Sequence, residues 1–199
     1  ITLLTKIIVG FLIALLFSGC HYTDYNGTKG NGDITTETRN ITAVFNSIDV
    51  SSGIEVVLEQ TQTPFVSVEA DANLQTLIQT KVENGVLVIK PTGSYNSTKT
   101  PVVIVRMPNI EDLQASSSAE IKSTNVLKGN NININSSSGS EIKVNVEFEN
   151  ISIDASSGST INASGKAIKL ECVSSSGSTV NAQNLLANNV IADASSGAS

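Results

Sequence analysis

The chain has 199 residues with 12 Lys+Arg, 18 Asp+Glu and one His, for a formal net charge of −6. That balance, with only Arg39 and Arg106 as arginines, excludes a nucleic-acid partner and a basic membrane-surface patch. Aromatics are 4% with no Trp, so the core has to be aliphatic, and the lone His21 excludes multi-histidine metal sites and imidazole acid–base work in the folded region.

Lys6 precedes an apolar run from Ile7 to Phe17, too short to cross about 30 Å of hydrocarbon as a helix. With Ser18-Gly19-Cys20 after it, the stretch 1–20 reads as a secretory signal peptide. Phe17-Ser18-Gly19-Cys20 resembles a bacterial lipobox, which makes Cys20 the lipidated mature N-terminus; an ordinary signal peptide cut elsewhere is the alternative. The expected partner of Cys20 is therefore a membrane, held through acyl chains and not a spanning helix. This puts the protein in the cell envelope at the outer membrane, on its periplasmic face or at the surface. The chain opens on Ile1, so its true start is expected upstream. Residues 21–32 are polar and carry Gly30-Asn31-Gly32, the composition of a flexible tether.

Residues 33–110 alternate less regularly. Ile48 to Val56, with Ser51-Ser52-Gly53, reads as strand, turn and strand. Phe65 to Ala70 is a further strand, and Asp71-Ala72-Asn73-Leu74 suits one capped helical turn. Asn84-Gly85 within Lys81 to Ile89 is a type I′ hairpin signal. Residues 93–100 form a polar loop, and Pro101 to Met107 is an apolar strand.

Residues 111–199 hold 20 Ser, 12 Asn and 6 Gly, a composition that by itself suggests low complexity. The spacing contradicts this: turn strings ending at Ser118, Gly139, Gly158, Gly177 and Gly197 are 21, 19, 19 and 20 residues apart. Counted in steps of two from each glycine, one face is apolar: Ile132, Ile151, Leu170 and Val190, then Leu113, Ile134, Ile153, Cys172 and Ala192. Ile121, Ile142, Ile161 and Val180 follow each turn, while Asn133, Asn135, Glu141, Lys143, Asp154 and Asn162 intervene. A lone rung of this kind has nothing to cover its apolar face, whereas stacked rungs bury it at ~1.5–3 kcal/mol per Ile, Leu or Val. The expectation is an all-β fold, a parallel β-helix or solenoid of roughly 20-residue repeats. Gly53, Gly139, Gly158, Gly177 and Gly197 are the turn residues that supply positive φ, with Ser118 marking an atypical first copy.

The quoted stretches together resemble the head GIN domain family, autotransporter-like adhesins and lipoproteins of Bacteroidetes. The resemblance runs from Gly30 to Ser199 and is carried by Gly30-Asn31-Gly32, Phe45 with Ile48 to Ile54, Val82 to Ile89 and the Ser-Ser-Gly repeats. It implies a right-handed, pectate-lyase-like β-helix without a catalytic set, and a role in adhesion. The chain stops inside a turn at Ala198-Ser199, so further repeats are expected beyond it.

Chemistry is sparse. The repeated serines have no histidine to activate them. Glu120 and Glu141 stack at about 4.8 Å, near the separation of retaining glycosidases, but Lys122 and Lys143 stack beside them. Asp154 and Asp193 share a column with Val173 between them, too far apart for a shared cation. Cys172 is expected inward as a small hydrophobe. No catalytic residue, cofactor or metal is expected. The leading reading is a non-catalytic envelope protein that binds a glycan or surface protein through polar Ser/Thr/Asn ladders. The alternatives are a carbohydrate-active β-helix enzyme and an envelope scaffold without an external ligand.

Overall fold

A computed structural model describes residues 27–199, so the signal peptide expected over 1–20, with Cys20, lies outside the described residues. The strands are β1 (Thr28–Lys29), β2 (Ile34–Thr38), β3 (Ser47–Ser51), β4 (Glu55–Gln60), β5 (Phe65–Asp71), β6 (Ile78–Glu83) and β7 (Val86–Pro91). After them come β8 (Tyr95–Asn96), β9 (Val102–Met107), β10 (Asp112–Ser116), β11 (Glu120–Ser136), β12 (Glu141–Ala155), β13 (Thr160–Ser174) and β14 (Thr179–Ala194). A 3₁₀ turn at Ala72–Leu74 separates β5 from β6. β1, inside the segment expected to be a tether, pairs with β8 in a small sheet of its own.

The expected parallel β-helix is not what the chain forms. All other strands join one 12-stranded sheet of mixed direction, in which β2–β5, β5–β9 and β6–β7 are antiparallel. The molecule is an all-β, curled mixed sheet, a half-barrel. The physical cause lies in residues 33–110. Asn84 and Gly85 take φ of 51° and 82°, and a two-residue connection of that kind folds β6 back on β7, which only antiparallel pairing allows. β5 then inserts antiparallel between β2 and β9. Parallel pairing occurs where the repeat spacing sets the register, with Leu113, Ile134, Ile153, Cys172 and Ala192 aligned across β10 to β14.

The inward rows close a continuous aliphatic core. Ile48, Leu87, Leu113, Ile134 and Ile153 are fully buried along one wall, and Val56, Val103, Ile121, Ile142 and Ile161 along the other. Burial fades at β14, where Val190 is 58% exposed although its column partners Ile151 and Leu170 are buried. Gly129 and Gly165 stand where a side chain would not fit, and a Cβ on Gly129 would meet the Phe148 ring at 2.6 Å. A Cβ on Gly165 would collide with the Val146 carbonyl oxygen, and its φ is +122°.

Candidate binding surface

The Ser-Ser-Gly turns form a seam along the molecule. Ser52, Ser138, Ser157, Ser176 and Ser196 adopt φ of 52–65°, followed by Gly53, Gly139, Gly158, Gly177 and Gly197 at 68–74°. Two successive positive φ values make a type I′ turn, closed by bonds such as Ser140 N–H to the Ser137 carbonyl at 3.2 Å. Ser117 and Ser118 hold the same conformation, at 52° and 61°, without a glycine. Each turn also bonds to the next: Gly53 donates to Ser117, Ser118 to Ser138, Gly139 to Ser157, Gly158 to Ser176 and Gly177 to Ser196, at 3.0–3.2 Å. The expected turn residues therefore share one ladder, where they set backbone geometry.

The convex wall on the β4–β12 side is zipped by charge. Glu55, Glu120 and Glu141 align, as do Val57, Lys122 and Lys143. Lys122 pairs with Glu55, and Lys143 lies 2.9 Å from Glu141 and 3.3 Å from Glu120. The hydrogen bond that the Lys143 ammonium donates to Glu141, with Glu120 adding to it, lifts Lys143 above its ordinary range. Arg106 bonds Glu59 at 2.7 Å and stacks 5.4 Å from the Phe65 ring centre. Acid and base on this wall thus neutralise each other.

The opposite wall carries amides and acids. Asp49, Gln114, Asn135 and Asp154 stand in one row, continued by Val173 and Asp193. Gln114 and Asn135 both donate to Asp112, at 2.6 and 3.0 Å, and Asn150 donates to Asn131 at 2.9 Å. Burial pushes the Asp49 carboxyl up, with Lys90 opposing and Asp112 adding to the shift. Cys172 is half-buried in the inward row, and burial raises its thiol pKa. Among the described residues, no group of three His, Cys, Asp or Glu could hold a metal ion, and no helix is long and apolar enough to cross a membrane.

A family model described as "Putative auto-transporter adhesin, head GIN domain" matches residues 44–199. The chain belongs to the head GIN domain family. No curated protein matches it. A crystal structure described as a "putative adhesin" from Bacteroides fragilis aligns with TM-score 0.80 at 17% identity, covering 85% of this chain and 80% of that one. Another so described, from Parabacteroides merdae, gives 0.75 at 22% identity, over 86% and 82%. A structure described as a "putative lipid binding protein" from Parabacteroides distasonis gives 0.67 at 20% identity, over 83% and 80%. At these identities the likeness speaks to the fold alone.

In this head GIN domain two sets of residues escaped sequence reasoning. Ser140, Ser159 and Ser178, each one place after a turn glycine, are buried. Their hydroxyls reach the carbonyls of Ala115, Ser136 and Ala155 on the preceding copy at 2.7–2.8 Å and accept from the first serine of their own turn. Their 19-residue recurrence was the available signal. The second set centres on Asp71, expected as a helix cap but making no cap bond. Its carboxylate instead accepts from Gly32 N–H at 2.7 Å, Thr98 hydroxyl at 2.7 Å and Thr98 N–H at 3.0 Å. A Cβ on Gly30 would meet that carboxyl at 2.5 Å, so Gly30-Asn31-Gly32 is a clamp. The Thr98 hydroxyl, with Gly32 and Thr98 N–H, holds Asp71 below the ordinary carboxylate range against the opposing effect of burial.

Proposed function

We propose that the chain is a lipid-anchored, non-catalytic adhesion protein of the cell envelope, binding a glycan or a surface protein through its outward polar rows. Membership of the adhesin family carries this reading. The geometry supports it: parallel register repeats hydroxyls and amides at about 4.8 Å, which suits many weak bonds acting together. The charged wall is neutralised, with Lys143 between Glu120 and Glu141. Protein clustered on beads should adhere to glycan- or matrix-coated surfaces more strongly than monomer and leave polyuronates and common glycans uncleaved. Sugar-end release abolished by Asp49→Asn, Glu120→Gln or Glu141→Gln would establish the enzyme instead. Anchoring is tested separately, since Cys20→Ser should end incorporation of labelled fatty acid.

One observation favours a second reading, lipid binding, the description given to one structural neighbour. A cavity of about 480 Å³ lies between the 41–46 loop and the end of β9, lined by Ile41, Val44, Phe45, Met107 and Pro108. Val44 is 92% exposed at its mouth. An acyl chain is the occupant that this apolar wall would take, and displacement of a fluorescent fatty acid measures it.

A further inference from the structure

Between β7 and β9 the chain leaves the regular ladder and borders a cavity of about 560 Å³, inside the range of roughly 300–1,000 Å³ of small-ligand sites. Ser52, Thr92, Ser94, Tyr95, Asn96 and Ser97 line it, and none of its lining residues is charged at neutral pH. A Cβ on Gly53 or Gly93 would meet nothing within 4 Å, so the space over both is open.

The loop is held in shape before any ligand arrives. Thr28 N–H donates to Ser94 at 3.0 Å and Gly30 N–H to Asn96 at 2.9 Å, which fastens it to β1. Thr92 N–H donates to Leu77 at 2.9 Å, and Thr98 is tied to the Asp71 carboxylate. Tyr95, half-buried, rests on the hydrophobic core and donates from its hydroxyl to the Ser52 carbonyl at 3.3 Å, bridging the loop to the first Ser-Ser-Gly turn. The side chains of Ser52, Ser94, Asn96 and Ser97 make no hydrogen bond among the described residues.

An uncharged rim of hydroxyls and an amide beside one aromatic ring is complementary to a sugar, whose rim bears hydroxyls and whose C–H face is apolar. A phosphate, sulfate or carboxylate would meet no cation among the lining residues. The geometry points to a subsite for one or two residues of a neutral glycan, with Tyr95 under the C–H face and Ser94, Asn96 and Ser97 bonding the hydroxyls. This deepens the adhesion reading and rests on it, and places the sugar contact at the irregular loop.

Calorimetric titration of the whole chain with neutral gluco-, manno- and N-acetylhexosamine oligosaccharides, beside uronate and sulfated ones, tests it. A neutral oligosaccharide should bind, and Tyr95→Ala should weaken it about five- to tenfold while Tyr95→Phe keeps most of the affinity. Gly93→Gln, which fills the open space and leaves Tyr95 in place, should give the same loss at an unchanged melting temperature. Unaltered binding in both Tyr95→Ala and Gly93→Gln, or binding of charged glycans alone, overturns the proposal. Adhesion to protein-coated surfaces without sugar binding overturns the subsite and leaves the adhesin standing, whereas adhesion to nothing removes both.

Discussion

Ile153→Ala probes the register on which the inward wall depends. Ile153 is fully buried between Ile134 and Cys172, while Ser152, one residue earlier, is exposed on the other side of the same strand. Removing three buried carbons at ~0.8 kcal/mol each, and leaving a cavity that its neighbours refill only in part, costs about 2–5 kcal/mol. At ~2–4 °C per kcal/mol for a chain of this size, the melting temperature should fall by about 4–20 °C. Ser152→Ala should change stability by no more than about 0.5 kcal/mol. Urea unfolding followed by circular dichroism reads both. Because a slip of one residue exchanges the two faces, equal losses in the two variants, or a larger one for Ser152→Ala, would refute the alternation.

Gly165→Ala should cost at least about 2 kcal/mol, since φ of +122° is a glycine conformation and the new Cβ collides with the Val146 carbonyl. Gly158→Ala, at φ +69° with nothing near, should cost only about 1 kcal/mol, and equal urea midpoints for the two would show that the collision does not matter. Asp71 titrates below its ordinary range in the folded state, so its contribution is complete above the unfolded pKa of about 3.9 and is lost as pH falls through the lower folded value. Wild type should therefore lose more stability than Asp71→Asn between about pH 5 and about pH 2, and parallel pH profiles would exclude the clamp.

Much of the local structure was legible along the chain because its causes are local. Side chains alternate across a strand with a period of two, so Ile134, Ile153 and Ile161 could be placed inward from spacing alone. Positive φ favours glycine and small polar residues, so Gly139, Gly158 and Gly177 marked turns, and Asn84-Gly85 marked the hairpin. Family membership was also readable, because it rests on such strings.

The direction of the sheet was not legible. Whether β5 runs with or against β9 depends on how residues about forty positions apart meet, and the apolar alternation of Phe65 to Ala70 is the same in either case. Outside the hairpin at Asn84-Gly85, the expectation of a parallel fold extended the rule of residues 111–199 to a half that obeys another. The same limit hid the loop cavity and the Asp71 clamp. Ser52 meets Tyr95 across 43 positions of chain, and Gly30 meets Asp71 just beyond the strand β1 that pairs with β8. Alternation and turn chemistry are properties of a few adjacent residues and are determined by the sequence itself. Strand direction, the cavity and the buried carboxylate's partners arise from contacts distant in the chain, which only the tertiary structure decides.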